Sequence, residues 1–229
     1  MKLMINIGIP SKGRLKKDVK EIFRKNNLYL FSERGERDLF AFIKRHKDIK
    51  IIYLHAREII ERLADGTLDI GFSGYDLFKE SNINIQKKII VSKKYEFGFA
   101  DLVLAIPTKW IDVETIADLE EIAFAFKDRK NKRLRVATKY PNLTREFLFS
   151  KGVTQFKLVN SLGATEAYPF TGSSEIISDI TSTGETLKAN NLRILTDGKI
   201  LRSQTCMLLS KKSASKNKVQ KIPKILSNN

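Results

Sequence analysis

The chain has 229 residues, of which 42 are basic and 26 acidic, and this leaves a formal net charge of +16. The length is enough for one large or two small globular domains, and an apolar share that includes 14 phenylalanines excludes a disordered chain. The positive charge indicates either an anionic partner, such as a nucleotide or a nucleic acid, or a lysine-rich surface without a specific partner. Lysines are scattered through the chain and become dense only from Lys211 to Lys224, so the second explanation stays open.

The first half of the chain alternates β-branched apolar runs with amphipathic segments. Strands are predicted at 3–10, 48–54 and 68–74, and helices at 11–27, 56–66 and 75–81. Ser11 is a candidate cap for the first helix, and Gly66 is expected to end the second. This alternation predicts parallel β-α-β units.

A second group of elements begins near Tyr95. Strands are predicted at 100–107, 133–138, 155–160, 191–200 and 204–210, with helices at 113–126 and 141–152, and the tail after residue 210 either forms a short helix or frays. The pattern therefore predicts two α/β lobes. The first comprises residues 1–94 with a return segment at about 192–229, and the second comprises residues 95–191.

Cys206 is the single cysteine, so an intramolecular disulfide is excluded and a reducing compartment is expected. Its apolar surroundings, "TCMLLS", favour a buried strand thiol over a nucleophile. The first residues lack the cleavage site of a secretion signal, and no apolar run has the length of a membrane span. The sequence thus predicts a cytoplasmic protein.

The stretch "SDITSTGETLKAN", Ser178 to Asn190, places a carboxylate just before a turn rich in hydroxyls. Gly184 permits a positive φ, and consecutive N–H groups in such a turn can bind a phosphate. Asp179 repels a phosphate but can accept hydrogen bonds from sugar hydroxyls or help to hold Mg²⁺. The pattern therefore fits a ribose-5-phosphate site, and the alternative is a capped helix whose threonines are ordinary turn residues.

The order acid-x-x-x-Thr-Gly-x-Thr resembles the phosphoribosyl pyrophosphate (PRPP) loop of phosphoribosyltransferases. Three further stretches carry a closer resemblance, and they are "IPSKGRL" (9–15), "ADGTLDIGFSGYDLFKE" (64–80) and the run from Arg135 to Leu192. Together they resemble the ATP phosphoribosyltransferase family, the first enzyme of histidine biosynthesis. The resemblance extends from about Ile7 to Leu209.

The resemblance implies two α/β lobes with a central cleft, similar to type II periplasmic binding proteins. It implies that N1 of the ATP adenine is joined to C1 of PRPP with release of pyrophosphate, with Mg²⁺ as cofactor. The chain looks like the short form, without the C-terminal regulatory domain of longer members. That form works with a histidyl-tRNA-synthetase-like regulatory subunit in a hetero-octamer and is expected to be a dimer when alone, with neither a nucleic acid nor a membrane as partner.

The resemblance also assigns residues, position by position. PRPP is expected to bind Glu166, Glu175, Asp179, Thr181, Ser182, Thr183, Gly184, Glu185 and Thr186, with Asp179 as the metal ligand. Glu175 stands where the family usually has an aspartate. Phosphate groups, including the departing pyrophosphate, are assigned to Lys12, Arg14, Arg57 and an arginine of "SERGERD", Arg34 or Arg37, with Arg37 chosen. ATP is expected to bind Gly13, Gly71, Ser73, Gly74 and Asp76.

Two other functions remain as alternatives. One is a non-catalytic nucleotide-binding module on the same fold, and the other is a basic nucleic-acid binder. The second is disfavoured because no helix-turn-helix, RNA-recognition or zinc-finger pattern occurs and the aromatic residues follow core periodicity. Only two histidines occur, His46 and His55, which suits a reaction that requires no strong general base.

Overall fold

The computed structural model describes residues 4–32, 35, 38–44 and 46–226, and the chain divides into two compact units. The first unit comprises Met1–Phe99 and Gln204–Asn229, and the second comprises Ala100–Ser203. The chain returns to the first unit at Gln204, whereas the sequence predicted this return at about residue 192. Residues Leu192–Ser203 form a strand that pairs antiparallel with Ala100–Pro107, so they stay in the second unit.

The elements alternate along the chain much as the hydrophobic periodicity predicts. The strands are β1 (Ile5–Pro10), β2 (Leu30–Phe31), β3 (Phe40–Ile43), β4 (His46–Leu54), β5 (Ile70–Gly74), β6 (Ile89–Lys94), β7 (Ala100–Pro107), β8 (Leu134–Thr138), β9 (Phe156–Asn160), β10 (Ile176–Thr181), β11 (Leu192–Ser203) and β12 (Thr205–Ser210). The helices are α1 (Gly13–Lys25), α2 (Ala56–Asp65), α3 (Tyr75–Glu80), α4 (Ile83–Gln86), α5 (Ile116–Lys130), α6 (Pro141–Ser150), α7 (Glu185–Ala189) and α8 (Asn217–Ile225).

Several details differ from the predictions. The strands β2, β3, β6 and β10 and the helix α4 were not predicted, because they are short or lack a clean period of two. Ser11 is not the cap of α1, since Lys12 occupies that position and makes no side-chain capping bond. The tail forms the helix α8, and Gly66 ends α2 in the left-handed conformation as expected.

The first unit is built on a seven-stranded sheet in the order β2-β3-β4-β1-β5-β12-β6. The central strands β4, β1 and β5 are parallel, so their carboxyl ends meet at one edge. Helix α1 buries Val19 and Phe23 in the core on one face, whereas α2 buries Ile59 and Leu63 in the core on the other. Burial on both faces explains why β1 and β5 are buried at nearly every position.

Gly71 lies in β5 directly under α2. A Cβ atom at this position would lie 2.4 Å from Cγ2 of Ile59 and 3.0 Å from Cδ1 of Leu63. Its lack of a side chain therefore lets the helix approach the sheet.

Replacing Gly71 by alanine is accordingly expected to lower the free energy of unfolding by about 1–3 kcal/mol, the usual cost of overpacking a core. Gly163→Ala is the control, because a Cβ there would meet no atom within 4 Å and its φ is not positive. Urea denaturation of both variants measures the difference. Equal stabilities would show that the helix moves away from the sheet at no cost.

The second unit is a five-stranded sheet in the order β11-β7-β10-β8-β9. Strands β9, β8 and β10 are parallel, and β7 is antiparallel to β10. Helix α5 begins with a capping box in which Thr115 and Asp118 bond each other's backbone N–H groups. In the part of the chain that the structure describes, no helix combines the length and the apolar character needed to cross a lipid bilayer.

Candidate active site

A polar pocket of the second unit lies where the connections of two neighbouring parallel strands diverge. Strand β8 leads into α6, whose Leu148 packs in the core on one face, and β10 leads into α7, whose Leu187 packs on the other face. Ligands of open α/β sheets bind at such points, outside the carboxyl ends of the strands, because the diverging loops leave a crevice there.

The pocket has a volume of about 450 Å³, enough for a sugar phosphate. Its wall combines hydroxyls, two carboxylates and one lysine. The lining residues are Lys139, Tyr140, Glu166, Asp179, Ile180, Thr181, Ser182, Thr183, Thr186 and Leu187. Most of the residues assigned to PRPP are therefore brought together by the fold.

The turn at 181–186 is braced by its own hydroxyl groups. Gly184 has a φ of 77°, and its N–H donates to Oγ1 of Thr181 at 2.9 Å. The N–H of Glu185 donates to Oγ1 of Thr183 at 3.4 Å. The glycine thus serves the shape of the turn, and the hydroxyls of Thr181, Ser182, Thr183 and Thr186 are the groups that line the pocket.

Asp179 is the carboxylate at the base of this pocket. Burial raises its pKa above the ordinary value, and the charge of Glu166 acts in the same direction. The N–H of Ile180, which donates at 2.9 Å, and the positive charge of Lys139 oppose this rise. The pocket therefore holds two carboxylates that repel each other, an arrangement that a metal ion or sugar hydroxyls would relieve.

Lys139 was missed by the sequence analysis. It follows β8, and the parallel register that pairs Thr138 with Ser178 sets it beside Asp179, forty positions further along the chain. The neighbouring hydroxyls of Thr138, Thr144 and Ser178 are buried and bonded to one another, so they attach the start of α6 to these strand ends. The signal in the sequence was the basic residue at the end of a predicted strand.

Glu175 was also assigned to PRPP, but it does not line this pocket. Glu175 lies just before β10, whereas the turn at 181–186 lies at the other end of that strand. About 20 Å of extended chain therefore separates Glu175 from the turn. Its Oε1 lies 2.6 Å from a guanidinium nitrogen of Arg135, and its Oε2 accepts from the backbone N–H of Arg135 at 2.7 Å. Burial opposes ionisation of this carboxyl, but the contacts with Arg135 prevail and lower its pKa.

Glu175→Ala is expected to lower the free energy of unfolding by about 1–3 kcal/mol, the cost of removing hydrogen bonds to a charged partner. Activity with PRPP should stay within a factor of about two, because the pocket is untouched. Folding lowers the pKa of Glu175 from its ordinary value of 4.5. The variant should therefore differ most from wild type in stability at pH values above 4.5, and the difference should shrink as the pH falls below 4.5. Denaturation at several pH values and a rate assay check both parts. A large loss of activity with unchanged stability would indicate that Glu175 contacts the substrate.

The first unit presents most of its assigned basic residues at the carboxyl edge of its sheet. The N–H of Ser11 donates to the carbonyl of Leu54 at 2.8 Å, so the residues after β1 and those after β4 leave the sheet side by side. Lys12, Gly13 and Arg14 are exposed there, as is Arg57. Because α1 and α2 cover opposite faces, this is also a point where connections diverge. Arg34 and Arg37 lie outside the described residues.

Ser73, Gly74 and Asp76 are placed differently from the expectation that they contact ATP. The hydroxyl of Ser73 is buried and donates to the carbonyl of Ala56 at 3.0 Å, which fixes the start of α2. Asp76 is also buried, and a Cβ on Gly74 would lie 2.2 Å from its Oδ1. Ser73 and Asp76 are therefore buried at the edge of the sheet, Gly74 leaves room for the carboxylate of Asp76, and Gly71 packs beneath α2.

A family model described as ATP phosphoribosyltransferase matches residues 55–228. An ATP phosphoribosyltransferase of Nitrobacter winogradskyi is 43% identical over 220 residues, which are 96% of this chain and 68% of that protein. One of Rhizobium etli is 41% identical over 213 residues, 93% of this chain and 92% of that protein.

Among solved structures, the ATP phosphoribosyl transferase (HisG:HisZ) complex from Thermotoga maritima matches with a TM-score of 0.74 at 26% identity, covering 99% of this chain and 100% of that one. An extracellular binding protein of a probable amino-acid ABC transporter from Bacillus subtilis matches with a TM-score of 0.56 at 12% identity, covering 98% of this chain and 91% of that one. The latter shows the fold alone, that of periplasmic binding proteins.

Fold and pocket together define an α/β protein of two units, with a polar pocket at the carboxyl edge of the second sheet. Within that class, the matches are specific to one group of enzymes. The chain belongs to the ATP phosphoribosyltransferase family, and in extent it corresponds to the shorter of the two relatives.

Proposed function

We propose that this chain catalyses the transfer of the phosphoribosyl group of PRPP to N1 of ATP, the first step of histidine biosynthesis. Its relatives carry the name ATP phosphoribosyltransferase, which supports this reaction. The observation that carries the proposal is the pocket at the carboxyl ends of β8 and β10, where two carboxylates face a turn rich in hydroxyls. A cytoplasmic location, where ATP is available, is part of the proposal.

The two sides of the pocket suit the two ends of ribose 5-phosphate. The hydroxyls of Thr181, Thr183 and Thr186 would donate to the phosphate, and Asp179 and Glu166 would accept hydrogen bonds from the ribose hydroxyls. Lys139 supplies a positive charge that acts on Asp179. The sugar would thereby be held in a fixed orientation, which is the main requirement for displacement at C1.

In the reaction, the bond from C1 to the pyrophosphate oxygen breaks and a bond from C1 to N1 of adenine forms. The leaving pyrophosphate takes the bonding electrons, so positive charge develops at C1 and negative charge on the leaving group. The exposed cations Lys12, Arg14 and Arg57 at the sheet edge of the first unit would bind phosphates of ATP or PRPP. Because N1 is a ring nitrogen whose lone pair carries no proton, no protein base is required for its attack.

Members of this family use metal assistance in catalysis. Among the described residues, no three histidine, cysteine, aspartate or glutamate side chains come together as a metal cage. Mg²⁺ commonly uses one or two carboxylates together with substrate oxygens, and Asp179 and Glu166 are such a pair in one pocket. Asp179 and Glu166 would therefore hold a Mg²⁺ ion together with PRPP, and such an ion would supply positive charge near the leaving pyrophosphate.

The proposal includes a regulatory partner subunit that resembles histidyl-tRNA synthetase. It is supported by the likeness to the Thermotoga maritima structure, which is described as a complex of two proteins. The hetero-octamer and the dimer of the isolated chain are parts of the same proposal, and mass measurement with and without the partner tests them.

The experiment is to mix the purified chain with ATP, PRPP and Mg²⁺ and to follow phosphoribosyl-ATP by its absorbance and mass. Product should form, faster when the regulatory subunit is added, and reactions without PRPP or Mg²⁺ serve as controls. If the chain and its partner together form no product, the transferase function is wrong for this chain.

A further inference from the structure

A second pocket of about 530 Å³ lies at the opposite edge of the same sheet, where β8 and β9 begin. Its lining residues, which we call the basic pocket, are Phe126, Lys132, Arg133, Arg135, Lys157 and Glu175. Along β8, Arg135 is separated from Lys139 of the candidate active site by about 13 Å of extended chain. The basic pocket is therefore a separate site.

The charges of the basic pocket are not balanced. Four cationic side chains line it with one carboxylate, and Glu175 is committed to Arg135 at 2.6 Å. Lys132, Arg133 and Lys157 are exposed and form no ion pair with any residue that the structure describes. The pocket thus carries three positive charges in excess.

The register of the sheet makes this excess unfavourable for the protein alone. Arg135 on β8 pairs with Lys157 on β9 in the parallel ladder, and like charges held on neighbouring strands repel each other. Phe126, half-buried at the end of α5, adds an apolar wall that strengthens electrostatic interactions beside it. An anion with several charges would offset this repulsion, and a guanidinium suits phosphate oxygens in particular.

We propose that the basic pocket is a second anion site, which binds a small, multiply phosphorylated molecule through Lys132, Arg133 and Lys157. The site is distinct from the pocket proposed for PRPP. Cations that line a pocket of about 530 Å³ can surround a compact polyphosphate, which favours a small molecule over an extended partner surface.

Trp110, the single tryptophan of the chain, offers a local probe. Its ring centroid lies 6.5 Å from that of Phe126, so we expect an anion bound in the basic pocket to change its fluorescence. Titration of the full chain with inorganic tripolyphosphate at constant ionic strength should give a saturable fluorescence change. Arg133→Gln/Lys157→Gln should shift the midpoint upward by at least about tenfold, because two charged contacts are lost.

The matched control is Lys87→Gln/Lys88→Gln, which removes two charges from exposed side chains of the first unit. Its midpoint should equal that of the wild type. The proposal is overturned if the wild type shows no saturable change, or if the two double variants respond alike, which would indicate general charge screening. It is also overturned if polyglutamate changes the fluorescence and tripolyphosphate does not, since the surface would then bind an acidic protein segment.

Discussion

Asp179→Asn is expected to reduce kcat/KM for phosphoribosyl-ATP formation by about 10²–10³-fold, the usual cost of removing one group that stabilises charge at the reacting centre. The same change should raise the Tm of the unliganded protein. Burial raises the pKa of Asp179, so its ionised form destabilises the fold near neutral pH, and a neutral amide removes that cost. The amide oxygen can still accept from the N–H of Ile180.

The pH dependence of stability tests whether the raised pKa of Asp179 is the cause of this gain in Tm. Because folding raises the pKa of Asp179, its contribution to wild-type stability is most favourable below the unfolded value and is lost as the pH rises through the folded one. The gain in Tm from Asp179→Asn should therefore grow as the pH rises through that range. Asp112→Asn, at an exposed site of the same unit, should change neither activity nor Tm. A lower Tm or full activity for Asp179→Asn would contradict the proposed role.

Gly184→Val is expected to weaken PRPP binding by about 30–100-fold, which corresponds to the loss of one or two charge-assisted hydrogen bonds to phosphate. Gly184 has a φ of 77°, a conformation that a β-branched residue does not adopt without strain of about 1–3 kcal/mol. Relief of this strain should displace Thr181 and Thr183, whose oxygens accept from N–H groups of the same turn. Calorimetric titration with PRPP measures the affinity.

Gly152→Val is a matched control for this strain. Gly152 has a φ of 83°, and at neither glycine would a Cβ meet another atom within 4 Å. The two variants should therefore lose similar stability, whereas only Gly184→Val should lose PRPP affinity. Similar affinities for PRPP in both variants would exclude the turn from the phosphate site.

Local sequence patterns were sufficient to predict many of the strands and helices. The apolar runs of β1, β5 and β7 and the amphipathic spacing of α1 and α2 predicted those elements, because burial of one or both faces imposes a period on the sequence. Short elements such as β2 and α4 were missed, since two to four residues carry too little periodicity. Gly71 and Ser73 were assigned to ATP by resemblance, and in the structure Gly71 packs against α2 while the hydroxyl of Ser73 donates to the start of that helix.

The sequence alone determined the chemistry of the turn after Asp179, because its carboxylate, hydroxyls and Gly184 lie within eight consecutive residues. Only the tertiary structure decided which distant residues join them. The parallel register of β8 and β10 brings Lys139 to the pocket, and a strand's length of extended backbone carries Glu175 away to Arg135. The physical reason is that side-chain periodicity fixes the face of a strand, whereas pairing between strands fixes which ends meet.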